Sequence, residues 1–175
     1  EQPNLLVWIG RVAVDAKRSD VVYGIGCELL TRANQTRDTV QSPIGWEETG
    51  QGAWKRIRAA LEQSPERSQL IDALSQYAND THWAHTFLGL IAAEEGQLLE
   101  AGRHLLNSSR VWGEPRVSSY GPSFLLAQKL CESRQWKDVE QFLVACKDIW
   151  DDEILDAWIK EVGNEHIPDF DDGCR

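Results

Sequence analysis

The chain has 175 residues, 42% hydrophobic and 26% charged, a mix that lets one ordinary globular domain bury its own core without a metal or a disulfide framework. The formal net charge is −10 and Lys and Arg nowhere cluster, so the basic footprint that nucleic acid or an anionic membrane surface demands is missing. The longest apolar runs, residues 5–9 and 87–93, fall far short of the roughly 18–20 residues of a membrane-spanning helix.

Helical periodicity dominates, and no alternation is long enough to build a sheet. Val7, Trp8, Val12 and Ala13 place an apolar stripe on a first helix over residues 4–17. Val21, Val22, Ile25, Leu29 and Leu30 do the same for a second, which starts near Ser19 or Asp20 and carries an acceptor for orphan N–H groups at its start. Pro43, Gly45, Gly50 and Gly52 then interrupt the pattern, and residues 35–50 are predicted as a long loop. Residues 53–63 resume as helix. Ser64-Pro65-Glu66 reads as a restart, with a capping Ser, a Pro in the first turn and an acid at the positive end of the dipole. Leu70, Ile71, Leu74 and Tyr77 form the next stripe. Asp80 or Thr81 is the predicted cap of another helix reaching about Glu95, and Gly96 is its left-handed stop. Residues 97–109 form its antiparallel partner. After a second loop, Gly121-Pro122 opens a helix through Cys131 or Glu132, and Trp136 to Ile149 follows after a short turn. Asp151-Asp152-Glu153 precedes a last helix that Gly163 ends. Ile167-Pro168-Asp169-Phe170 reads as an extended tail pinned by its two large apolar groups.

Helices alternating with short turns call for a test of internal self-similarity. Leu88-Gly89, Ala92, Ala101, Leu105 and Ser108 share a frame with Leu126-Ala127, Leu130, Val139, Leu143 and Cys146. The same frame holds Ile9-Gly10, Ala13, Val22, Gly26 and Leu29. A weaker copy holds Ile57-Arg58, Leu61, Leu70, Leu74 and Tyr77, with Trp54 ahead of it and Arg58 where a small residue is expected. Small residues let two helix backbones approach. This pattern of a Leu-Gly pair followed by small and large residues at fixed offsets resembles the tetratricopeptide repeat, in a degenerate form with unequal steps. The resemblance implies an all-α fold. Antiparallel helix pairs, about 4–34, 51–79, 80–110 and 122–149, would stack as a short right-handed solenoid closed by a capping helix at about 151–163. The C-terminal half also resembles an uncharacterised bacterial helical-repeat family, through Ser119-Tyr120-Gly121-Pro122, Leu126-Ala127, the segment 146–150 and Ile167-Pro168-Asp169-Phe170. That second resemblance implies no activity.

The resemblance further implies that the first helix of each pair lines a concave groove. Its usual groove positions fall on Val7, Arg11 and Asp15, then Lys55, Ala59 and Glu62, then Trp83, Thr86, Leu90 and Glu94, then Phe124, Gln128 and Glu132. A groove with apolar anchors and more acids than bases suits a protein or peptide partner carrying positive charge. The Lys/Asn clamp that some relatives use for a C-terminal carboxylate is not reproduced. The expected role is therefore a non-enzymatic binding scaffold. An acidic immunity or inhibitor protein that caps a basic toxin or enzyme is the alternative.

Signatures of chemistry are sparse. His82 and His85 lie one helical turn apart and His104 falls on the partner helix, a spacing that could begin a metal site but lacks further ligands. Helix-packing histidines are the plainer expectation, and a metal-dependent enzyme the remote one. Tyr23-Gly24-Ile25-Gly26 lacks the third glycine and the preceding strand of a dinucleotide fingerprint, so Gly24 and Gly26 are expected to permit close helix packing. Asp169, Asp171 and Asp172 lack the bidentate Glu of a calcium loop. Glu47-Glu48 and Asp151-Asp152-Glu153 are carboxylate clusters without an evident cleft. No cofactor is implied. Of the eight tryptophans, Trp8, Trp54, Trp83, Trp136, Trp150 and Trp158 fall on helices, where most fill the core, and Trp46 and Trp112 fall in loops. Cys27, Cys131, Cys146 and Cys174 form no C-x-x-C pair. Their scatter leans towards buried thiols in the cytoplasm, while a trimmed or processed start leaves export open. Oligomeric state is not legible.

Overall fold

The computed structural model describes residues 4–44, 67–109, 122–147 and 153–170. Among them the protein is all-helical and has no strand. The helices are α1 (Leu5–Asp15), α2 (Ser19–Ile44), α3 (Arg67–Glu94), α4 (Leu98–Ser108), α5 (Leu125–Glu132), α6 (Trp136–Cys146) and α7 (Ile154–Gly163). None is long and apolar enough to cross a membrane.

One backbone device ends every odd-numbered helix. Two residues past the last helical position stands a left-handed residue: Lys17 (φ 54°), Gly96 (φ 75°), Arg134 (φ 60°) and Glu165 (φ 59°). The next N–H returns to a carbonyl five residues back, Arg18 to Ala13 (2.9 Å), Gln97 to Ala92 (2.8 Å), Gln135 to Leu130 (2.9 Å) and His166 to Glu161 (2.9 Å). This Schellman closure satisfies carbonyls that a helix end otherwise orphans. After the first three closures the next helix begins two residues further on, so α1–α2, α3–α4 and α5–α6 are joined by turns of identical geometry. Gly163 is the last residue of α7, and the left-handed stop belongs to Glu165.

Counting from each left-handed residue aligns the three pairs. Seven positions before it lie Gly10, Gly89 and Ala127, and five after it lie Val22, Ala101 and Val139. Nine after it come Gly26, Leu105 and Leu143, and twelve after it Leu29, Ser108 and Cys146. All twelve are buried. These are the positions of the sequence frame. The glycines in it are packed against neighbours. A Cβ on Gly10 would collide with the Phe87 ring, one on Gly89 with Leu126 and the Cβ of His104, and one on Gly26 would lie 2.9 Å from Leu88 Cγ. Gly24 differs from the expectation, because it faces open space.

Two element boundaries differ from the sequence reading. The segment 35–44, predicted as the start of a loop, continues α2 to Ile44, because no Gly or Pro intervenes before Pro43 and Thr36 Oγ1 turns back to the Arg32 carbonyl (3.0 Å) instead of breaking the helix. The break predicted at Asp80 or Thr81, between the pairs 51–79 and 80–110, is absent, and α3 is one helix of 28 residues. Asp80 caps nothing, because its carboxylate is taken by other side chains. Arg32 donates to it from Nε (3.0 Å) and Nη2 (2.8 Å), Asn4 from Nδ2 (2.9 Å) and Gln76 from Nε2 (2.7 Å). The weak copy of the frame thus has Leu70, Leu74 and Tyr77 on α3 itself, while Trp54, Lys55, Ile57, Arg58, Ala59, Leu61 and Glu62 lie outside the described residues. So do Trp46, Trp112, Trp150 and the carboxylate clusters except Glu153.

Helices α2 and α3 run antiparallel. Ser19 meets Glu94, Gly26 meets Leu88 and Ala84, and Arg32 meets Asp80. Helix α1 packs on α2, α4 and α5 pack on α3, α6 on α4 and α5, and α7 on α6. One buried apolar cluster runs through α1 to α7. The helix predicted to open at Gly121-Pro122 starts at Leu125, with Pro122 and Phe124 already buried ahead of it. The tail is pinned by Pro168 and Phe170, whereas Ile167 is exposed.

Two outcomes test this packing by urea denaturation. Gly89→Ala is expected to cost about 1–3 kcal/mol, because the added methyl overpacks the crossing, while Gly24→Ala gains up to about 1 kcal/mol from helix propensity alone. Arg32→Ala is expected to cost roughly 3 kcal/mol by leaving the Asp80 carboxylate buried without its cation, and the double replacement Arg32→Met with Asp80→Leu to recover much of that loss.

Candidate partner-binding face

The positions expected to line a groove fall into two groups. Arg11, Asp15, Glu94, Gln128 and Glu132 are exposed on α1, α3 and α5. Thr86, Leu90 and Phe124 are buried, and Val7 and Trp83 are half-buried. Thr86 donates to the His82 carbonyl (2.9 Å). Phe124 belongs to an aromatic cluster, stacked on Phe170 (5.4 Å, 3°) and edge-on to Trp158 (4.9 Å) and Phe142 (6.0 Å). That cluster joins α6, α7 and the tail, so the ring is core.

The exposed group has a physical focus where α1 faces α3. The Arg11 guanidinium lies 5.9 Å from the Trp83 ring centroid, and Trp83 in turn tilts onto Phe87 (5.4 Å). The acids Asp15, Glu94 and Glu132 occupy one register, each two residues before a left-handed turn. A helix C-terminus carries partial negative charge, so acids there oppose the dipole. Glu94 accepts from Ser19 Oγ (2.9 Å), and Glu132 pairs with Lys129 (3.4 Å).

The three histidines do not converge on one point. His82 is fully buried, and both its ring nitrogens are engaged by backbone. The Ser123 N–H donates to Nε2 (2.9 Å), which fixes the proton on Nδ1 and lets it donate to the Ser108 carbonyl (3.0 Å). His82 thereby ties the end of α4 and the residue ahead of α5 to α3, and burial lowers its pKa to about 4. His85 instead meets His104, Nδ1 to Nδ1 at 2.9 Å, with ring centroids 5.1 Å apart. The nitrogens therefore point head-on and share one proton. His104 Nε2 lies 3.8 Å from Glu100, and burial lowers the His104 pKa while Glu100 opposes the shift. Among the described residues no three His, Cys, Asp or Glu side chains are grouped to hold a metal ion. Cys27, Cys131 and Cys146 are free thiols; burial, helped by Glu132, pushes Cys131 up to about 11, and burial alone raises Cys146. Cys174 lies outside the described residues.

Sequence reasoning missed the Arg32–Asp80 pair and the His85–His104 contact. The signal for the first was faint: Arg32 lies one turn after Leu29 and Asp80 one turn before Ala84, so each sits at the margin of an apolar stripe. The His pair had no local signal, because it depends on how α3 and α4 are rotated.

Compared with known protein families, curated proteins and solved structures, the chain matches none.

His82 makes the pH dependence specific. Its folded pKa of about 4 lies below the ordinary value near 6.5, so above that value it contributes no slope. As pH falls from about 6.5 to 4 the unfolded chain takes up a proton that the folded chain refuses, and stability drops by on the order of 3 kcal/mol. Unfolding followed across that window is expected to show the drop in the native protein and to lose most of it in His82→Gln.

Proposed function

We propose that the protein is a non-enzymatic binding module, a short right-handed solenoid of tetratricopeptide-like pairs with α7 as its cap, and that it holds a basic protein or peptide segment along the face formed by α1, α3 and α5. The observation that carries this reading is the common register of the three pairs. It sets Asp15, Glu94 and Glu132 at the same place on successive helices, and Arg11 and Gln128 at another, which the buried Leu90 occupies on α3. The row of acids at helix C-termini adds weight. Their placement is unfavourable for the helices themselves, and it gives a complementary field for Lys and Arg on a partner. Trp83 beneath Arg11 supplies the flat apolar anchor that peptide grooves use.

The test is a titration with a labelled 15-residue peptide alternating Leu and Lys, followed by fluorescence anisotropy. Micromolar, salt-sensitive binding is expected. The triple variant Asp15→Asn, Glu94→Gln, Glu132→Gln is expected to bind about tenfold or more weakly, roughly 1.4 kcal/mol. A control with Glu140→Gln, Glu153→Gln and Glu161→Gln carries the same net charge and is expected to bind as the native chain does. Equal loss in both variants, or no loss in the first, overturns the assignment of this face. Net charge of −10 also suits an inhibitor of a basic enzyme or toxin; tight one-to-one binding of a single basic protein with no affinity for the peptide would favour that reading.

A further inference from the structure

The described contacts between odd-numbered helices follow one rule: a large side chain of the later helix sits over the small residue of the earlier one. Phe87 of α3 covers Gly10 of α1, and Leu126 of α5 covers Gly89 of α3. On α3 the residues that face the preceding pair are Ala84, Phe87, Leu88 and Ile91. Phe87 meets Gly10, Leu88 and the Ala84 carbonyl meet Gly26, and Ile91 is buried one turn on. Counted from the left-handed residue, the same four positions on α1 are Leu5, Trp8, Ile9 and Val12. All four are apolar, yet Leu5 is 65% exposed, Trp8 57% and Val12 46%. Helix α1 therefore presents outward a surface with the residue types by which an interior helix joins the pair before it.

We propose that this face of α1 is an interface, continuous with the α1–α3–α5 line, and that its occupant is a partner's antiparallel helix pair with a Gly or Ala at the crossing beneath Trp8. The rule names the chemistry. A bulky ring at this register needs a backbone within reach, and only a small residue gives it. A second copy of the chain is a poor occupant. Its own Gly10 and Gly26 are already covered by Phe87 and Leu88. Its opposite end, α7, buries Leu155, Trp158 and Val162 and surrounds the exposed Ala157 with the charged Asp156, Lys160 and Glu161. Two copies at −10 each also repel. Among the described residues the exposed faces of these two helices are thus unlike, mostly charged on α7 and apolar on α1.

The chain's own first pair is a ready probe, because α1 and α2 already accept α3 in this way. A further copy of residues 4–36 is fused ahead of the full chain through a flexible Gly/Ser linker, which holds it at an effective concentration of roughly millimolar. Amide exchange is then measured on the original α1. Exchange about tenfold slower or more is expected. The protection is expected to vanish with Trp8→Glu in the original α1, and with Gly10→Leu in the appended copy. Trp8 is largely exposed, so its replacement leaves the fold intact, which far-ultraviolet circular dichroism checks. Unchanged or faster exchange on α1, or protection that survives Trp8→Glu, overturns the proposal. A dimer of the unmodified chain in sedimentation that Trp8→Glu dissociates would assign the face to a second copy and overturn it equally.

Discussion

A ring or branched side chain resting on a bare stretch of helix backbone is the contact on which this structure hangs. Phe87 over Gly10, Leu88 over Gly26 and Leu126 over Gly89 set the separation of α1, α2, α3 and α5. The interior is close-packed, so a crossing of this kind has little slack. Shifting one of these helices by a single residue would put a Cβ where a ring now lies. The crossings thus fix rotation and register together, and every exposed residue of α1, α3 and α5 takes its place from them.

The Schellman closures do the complementary work along the chain. They turn α1 into α2, α3 into α4 and α5 into α6 with identical geometry, so the crossings repeat at matched positions. Three of the four left-handed residues are Lys17, Arg134 and Glu165, side chains that pay a conformational cost there. The hydrogen bonds around each turn, and the packing of the helices it joins, hold them in place. Buried polar groups add specificity across the turns. Asp80 gathers donors from Asn4 and Arg32 on the α1–α2 side, and His82 gathers both ends of the segment between α4 and α5.

Much of this architecture is legible from residue types. Gly10, Gly89 and Ala127, with the buried residues five, nine and twelve places beyond each turn, stand out because small and large residues recur at fixed offsets. Gly96 announces its own turn. The turns at Lys17, Arg134 and Glu165 do not, since charged residues carry no preference for positive φ, and only tertiary packing selects it. The break expected at Asp80 illustrates a second limit: a residue that caps helices in isolation becomes a buried acceptor once Arg32 lies opposite it. The face of α1, α3 and α5 was legible as a set of positions, but not which of them point outward. Phe124 satisfies the groove spacing and is core, because Phe170, more than forty residues later, folds back onto it.

That last contact bears on how the chain is made. Phe124, Phe142 and Trp158 come from α6, α7 and the residue ahead of α5, and the ring that completes their cluster is supplied by Phe170. During vectorial synthesis, α1 to α3 can begin to pack as soon as they clear the ribosome, since Phe87 and Leu88 supply their mutual crossings, whereas Gly89 waits for Leu126. The aromatic cluster has to wait for its final member. Until residue 170 emerges, the faces of Phe124 and Trp158 that it covers stay open to solvent, and the half-built cluster is a sticky patch on the nascent polypeptide.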